Sequence, residues 1–293
     1  MRMSWRSGML LTRNTLYTTG ILLLWSLVSA VYATEKLTLC IHPYKSASEL
    51  YKAFSPLAVY LGQAAGIEVE VLVAKDYDSH IEHIIKNKTG IAYLGPASYV
   101  KLVDMHGKPS ILARLSINGK PTFQGKIVVR DDSPIQSLSD LQGKRFAFGD
   151  PNSTMSHLVP RYMLIEAGIT ADRLADFRFL GNHVNVALSV LSGKFDAGAV
   201  KEAVFHKYQS RGLRALATTP ALSEHLFIAS NDLSPELIEL LRSTFYNMKD
   251  DADGIKAMKS IKSNITAMVS ADDADYDNLR LILATLRDKG VIE

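Results

Sequence analysis

Residues 145–168 read RFAFGDPNSTMSHLVPRYMLIEAG. The opening four residues predict a buried strand, and the apolar-periodic tail predicts a helix that Gly168 stops. Asn152, Ser153, Thr154 and Ser156 lie between them. A helix that begins in a cluster of small hydroxyl residues offers unpaired backbone N–H groups and the positive end of its dipole, an arrangement suited to an anion.

Upstream, 37–41, 67–74 (IEVEVLVA) and 90–94 predict strands, with helices over 46–65, 77–86 and 97–105. Ser55 and Pro56, an N-cap and first-turn pair, predict an interruption in the 46–65 helix, which Gly66 ends. Further strands are expected at 111–117 and 127–129, and a short helix at 137–141. Downstream of the opening stretch the rhythm resumes with strands at 177–180, 197–200 and 214–217 and helices at 184–191 and 202–209. The remainder, through 234–246, 255–261 and 276–289, reads as helical. This βαβα alternation predicts an α/β protein with mostly parallel sheets and helices on both faces.

Polar, Gly- or Pro-containing passages at 118–125 and 218–225 divide the rhythm. A chain crossing at both builds one discontinuous lobe from 34–121 plus 226–293 and a second, inserted lobe from 122–225, with a cleft between them. Ligands of α/β sheets bind outside the carboxyl ends of the strands, where several of the polar candidates fall.

The 293 residues are 47% hydrophobic and 22% charged, enough for a substantial core in one large or two medium domains. Residues 1–33 carry Arg2, Arg6 and Arg13, no acid, and an apolar run over 21–33, the pattern of a secretory signal peptide with cleavage expected after Ala33. An apolar run of this length is short for a membrane span, which needs about 20 residues, so an uncleaved anchor is the secondary reading. Those three arginines account for the whole formal charge of +3, and the remainder is neutral. The basic balance is therefore no argument for nucleic acid. Cys40 is the single cysteine, so no intramolecular disulfide forms, and no lipid-attachment cysteine follows Ala33. A soluble exported protein is expected.

Several segments resemble the solute-binding proteins of phosphonate, phosphite and phosphate ABC importers. They are IVVRDDSPIQSLSDLQGKRFAFGDPNST within 119–168, AKDYDSHIE around Tyr77, GIAYLGPASYV from Gly90, GNHVNVALSVLSGKFDAGAV from Gly181, and the Ser55, Pro56, Leu57 start. The resemblance covers most of the chain beyond residue 33 in unchanged order. It implies a type II periplasmic-binding-protein fold of two α/β lobes joined by two crossing strands, closing on a small anion. It also implies that Ser153, Thr154 and His183 hold the anion from one lobe and Tyr77 from the other. An ABC permease is the implied partner, the periplasm the implied location, and a monomer with no cofactor or metal the expected state. The chain departs from the family at Met155, where a serine is usual, and at Leu94, where a ligand-facing tyrosine is usual. Tyr93, one residue earlier in the strand, is expected to point to the opposite face.

Each candidate also has a plainer role. Ser153, Thr154 and Ser156 are residues that any helix start favours as caps. His183 follows Gly181 and Asn182, where Asn182 and Asn185 also suit a cap; as an anion donor it would favour its charged form. Ser98 follows the Gly95, Pro96, Ala97 turn and either touches ligand or merely starts a helix. Lys201 and Glu202 are expected at the surface, and His80 and His83 on a solvated helix face rather than on a metal. A periplasmic ligand sensor is the alternative function. A periplasmic enzyme using Ser153 and His183 on a phosphorylated substrate ranks below it, since no G-x-S-x-G elbow is present.

Overall fold

A computed structural model of the protein describes residues 36–86 and 90–292, together with Met1. The leader and cleavage site expected within 1–33 lie outside the described residues. Among the described residues, no helix is long and apolar enough to cross a membrane.

The first half of the chain runs β1 (Lys36–Ile41), α1 (Ala47–Ala65), β2 (Glu68–Val73), α2 (Tyr77–Lys86), β3 (Ile91–Leu94), α3 (Pro96–His106), β4 (Ser110–Ile117), β5 (Thr122–Phe123) and β6 (Gly125–Arg130). After β7 (Arg145–Phe148), a π-helical turn over Thr154–Leu158 runs straight into α4 (Val159–Glu166). There follow β8 (Asp176–Phe179), α5 (His183–Leu191), β9 (Ala197–Lys201), α6 (Glu202–Gln209), β10 (Leu213–Thr218), β11 (Leu222–Ser223) and β12 (Leu226–Ala229). The chain ends with α7 (Pro235–Asn247), α8 (Ala252–Ile261), β13 (Ile265–Val269) and α9 (Asp277–Asp288).

One sheet has the order β13-β4-β12-β3-β1-β2 and the other β10-β6-β9-β7-β8, while β5 and β11 pair as a short ribbon between them in the chain path. The sheets are mixed, which corrects the expectation of mostly parallel ones. Strand β1 runs parallel to β2 and β3, and β7 parallel to β8 and β9. By contrast β12 is antiparallel to β3 and β4, β13 to β4, and β6 to β9 and β10. The crossing explains the reversals. A chain leaving the carboxyl ends of one sheet enters the other sheet at its carboxyl-end side, so the entering strand, β6 or β12, runs against its neighbours. Strands β12 and β13 stand where the sequence reading assigned no element.

Side chains alternate across each sheet as the pleat requires. Leu39, Ile41, Ile91, Tyr93, Phe227 and Ala229 face α1, α7 and α8. Cys40, Ala92, Leu94, Leu226 and Ile228 face the opposite layer, with residues of α3 and α9. In the second sheet Ile127, Val129, Phe146 and Phe148 pack on the α4 side, and Val128, Ala147 and Val200 on the α5 and α6 side. Met155, Leu158 and Val159, from the start of the α4 helix, join the core layer of the first sheet.

Helix α1 is continuous through Pro56, against the expected interruption; its cap is Ser46, in a reciprocal capping box with Glu49. Ser55 donates its hydroxyl to Tyr51 O at 2.6 Å. The helix buries Leu50, Phe54, Leu57 and Leu61 completely. At about 1.5–3 kcal/mol per large apolar side chain, that stripe exceeds the roughly 3 kcal/mol cost of an internal proline.

Candidate functional site

Two helix starts meet at the crossing. Ser153 caps the π-helical turn, its Oγ accepting the Ser156 N–H at 3.2 Å. The N–H groups of Thr154 and Met155 donate to no other described residue. Thr154 Oγ1 accepts the Ala97 N–H of α3 at 3.2 Å. This bond ties the second sheet's helix to the first sheet's, and it leaves the threonine hydroxyl proton free to donate. Ser98, the next residue of α3, is buried and its hydroxyl has no hydrogen bond to another described residue.

Ser156 behaves differently from its neighbours. It is fully buried, and its hydroxyl donates to Ala199 O of β9 at 2.7 Å. Gly149 makes room for it, because a Cβ there would lie 2.3 Å from Ser156 Oγ. The Gly149 carbonyl in turn accepts the Gly181 N–H at 3.0 Å, which draws the approach to α5 against the turn. Met155 points away from the cleft. It is 1% exposed, with Sδ 3.4 Å from Thr219 Oγ1 at the second crossing.

His183 opens α5, where Asn182 supplies the cap. Its Nδ1 accepts the Lys201 N–H at 3.0 Å, so the ring carries its proton on Nε2. Burial drives its pKa well below the ordinary histidine value, with the Lys201 and His225 charges adding to the shift. The ring is a neutral donor.

The facing wall is aromatic. His42, just beyond β1, has ring neighbours Tyr44 at 4.8 Å, Tyr77 at 5.5 Å, Tyr93 at 5.3 Å and His225 at 5.4 Å between centroids. His42 Nδ1 donates to Tyr93 O at 3.2 Å. Burial, followed by the His225 and His80 charges, keeps the ring neutral, so Nε2 is an acceptor. Burial pushes the Tyr44 and Tyr77 hydroxyl pKa values far above the ordinary one, with Glu224 acting second on Tyr44 and Asp150 second on Tyr77. Both therefore remain donors. His225 Nδ1 donates to Glu224 Oε2 at 2.6 Å. Burial works to raise the Glu224 carboxyl, yet the His225 charge and hydrogen bond, together with Lys262, hold it below the usual range. Lys201 Nζ lies 5.2 Å from the centre of the Tyr44 ring, across the crossing from its own strand.

Of the residues singled out in the sequence, Ser153, Thr154 and Ser98 stand together at the two helix starts, His183 lies beside Lys201, and Tyr77 belongs to the aromatic wall. The Ser156 hydroxyl is spent on β9. Lys201, expected at the surface, is in the cleft instead. Tyr93 does project to the face opposite Leu94, but at the strand's carboxyl end its ring still reaches the His42 group. His80 is fully buried, with Nε2 donating to Cys40 O at 3.4 Å, which corrects the solvated helix face. No group of three or more metal-ligating side chains occurs among the described residues. His42, Tyr44, Glu224 and His225 were not singled out in the sequence. The signal that finds His42 and Tyr44 is their place directly after the carboxyl end of a parallel strand.

A family model described as ABC transporter, phosphonate, periplasmic substrate-binding protein matches residues 39–276. The chain is 29% identical over 270 residues to the phosphate-import protein PhnD of Mycolicibacterium smegmatis, covering 84% of each chain. It is 31% identical over 188 residues to the phosphonates-binding periplasmic protein of Escherichia coli, covering 61% of this chain and 55% of that one. The structure of PhnD1 from Prochlorococcus marinus in complex with methylphosphonate superposes with a TM-score of 0.77 at 22% identity, covering 88% of this chain and all of that one. The structural likeness shows the type II periplasmic-binding-protein fold.

Proposed function

The chain belongs to the family of periplasmic substrate-binding proteins of phosphonate ABC transporters, and from that premise we propose that it captures a small phosphorus oxyanion between its two sheets and hands it to a membrane permease. The family binds solutes and does not transform them. In this reading the protein is exported with residues 1–33 as a cleaved leader and works as a monomer, its lobes being 34–121 plus 226–293 and 122–225.

The observation that carries the reading is the set of donors left unpaired at one place. The N–H groups of Thr154 and Met155, the Thr154 hydroxyl proton and the Ser98 hydroxyl belong to the two helix starts that the bond from the Ala97 N–H to Thr154 Oγ1 joins. His183 Nε2–H and the Tyr77 hydroxyl complete the set, while Ser153 positions it and Ser156 anchors it to β9. A dipole end and several hydrogen bonds satisfy an oxyanion without a full countercharge. Charge-assisted bonds contribute about 1.5–3 kcal/mol each, so three or four of them approach the roughly 8 kcal/mol of a micromolar site, and association entropy subtracts from that sum. Because the donors come from both sheets, ligand favours the closed form over the open one.

The test is a thermal-shift series on purified residues 34–293 with phosphate, phosphite, methylphosphonate, sulfate and simple carboxylates. At one hundred times the dissociation constant a ligand adds about 2.7 kcal/mol, a rise of roughly 5–10 °C for a chain of this size. A rise with at least one phosphorus oxyanion is expected. Stabilisation by a neutral compound and by none of the phosphorus oxyanions would overturn the proposal.

A further inference from the structure

We propose that Lys201 reads a second negative charge on the ligand, so that the cleft prefers a phosphorus oxyanion bearing a carboxylate substituent to one bearing an ammonium group. The inference rests on the function proposed above and names the class of substituent.

Lys201 ends β9, and its N–H is the group that fixes the His183 tautomer. Its side chain therefore leaves the backbone beside an oxyanion donor, and Nζ reaches the Tyr44 ring of the opposite wall. Among the described residues the ammonium makes no hydrogen bond or ion pair with another side chain. The Glu224 charge acts on it only weakly, after burial and two lysines, and both nearby acids hold other partners. Glu202 pairs with Lys126 at 3.1 Å, and Glu224 receives both the N–H and the Nδ1–H of His225. Two further cations, Lys262 and Lys45, act on Lys201; burial first, then those two charges, bring its pKa down to about 8. A cation taken out of water without a carboxylate partner is unfavourable, and an anionic substituent on the ligand supplies that partner. An ammonium substituent would instead meet net positive potential on this side. The acid left to receive one is Asp150, whose charge acts on Tyr77 and on which Asp78 and Asp76 act in turn.

The experiment is calorimetry of the purified protein with methylphosphonate, phosphonoacetate, 3-phosphonopropionate and 2-aminoethylphosphonate at pH 7. At least one phosphonocarboxylate is expected to bind about tenfold or more tightly than the aminoethyl compound. Lys201→Glu should reverse that order and Lys201→Met should abolish it, with melting curves verifying that both variants fold. Equal affinities in the wild type, or an order unchanged in the folded variants, would overturn the inference. Preference for 2-aminoethylphosphonate would also overturn it and would place the substituent at Asp150. If methylphosphonate binds without any preference between the two substituents, only the role of Lys201 is lost. If none of the four binds, the proposed function is lost with it.

Discussion

Thr154→Val is the perturbation that separates a ligand-completing threonine from a helix cap. Valine keeps the shape and removes one oxygen. Thr154 is 6% exposed, and its Oγ1 accepts the Ala97 N–H at 3.2 Å. Losing that acceptor leaves a buried amide unsatisfied in the closed form, a cost of about 1–3 kcal/mol. Losing the hydroxyl donor to an oxyanion costs about 1.5–3 kcal/mol more. The two overlap, because closure and ligand contact are coupled, so the expected loss of affinity lies between about tenfold and a thousandfold. Thr154→Ser, which keeps the oxygen, should recover most of it. The assay is isothermal titration with the oxyanion that gives the largest thermal shift, run beside urea unfolding of the ligand-free proteins. Threefold or smaller weakening in Thr154→Val would refute the placement of this hydroxyl between α3 and the ligand.

Other expected outcomes follow from neighbouring contacts. Ser156→Ala should lower stability by about 1–3 kcal/mol, since Ala199 O loses a buried donor, and urea unfolding would register it. Gly149→Ala should also destabilise, because its Cβ would press on Ser156 Oγ at 2.3 Å; a melting temperature unchanged from wild type would contradict that packing. Burial brings the His80 and His157 pKa values down to about 4, so from 6.5 down to that value the unfolded chain binds protons that the folded one does not. Stability is therefore lost as the pH falls, by about 2 kcal/mol per histidine between pH 6.5 and 5. His157→Gln should flatten the dependence measured by urea unfolding, and an unchanged slope would refute the assignment.

The opening stretch was legible because strand, small hydroxyl cluster and apolar-periodic helix occur in an order that permits few folds. What the pattern could not show is which hydroxyl turns inward. Ser156 lies within three residues of Ser153, yet the turn is π-helical, and this sends Ser156 to Ala199 while Thr154 meets Ala97. Strands β12 (LFIA) and β13 (ITAMV) were missed because runs of four or five apolar residues fit a buried helix as well as a strand. Only the antiparallel return of the chain decides between them. Lys201 read as surface because lysines are rarely buried; its place at the end of β9, next to His183, depends on long-range sheet order. His80 could have been read correctly. It lies on the same stripe as Tyr77, Ile81 and Ile84 at spacings of three and four, which places it on the buried face of α2.

The central claim is that one small phosphorus oxyanion closes the two sheets upon each other. Small-angle scattering of residues 34–293, titrated with phosphate, phosphite and methylphosphonate, tests it most directly. A fall in the radius of gyration that saturates at one equivalent of at least one of them, and is lost in Thr154→Val at the same concentration, is the expected result. A radius that stays constant while calorimetry shows the ligand bound would contradict the account.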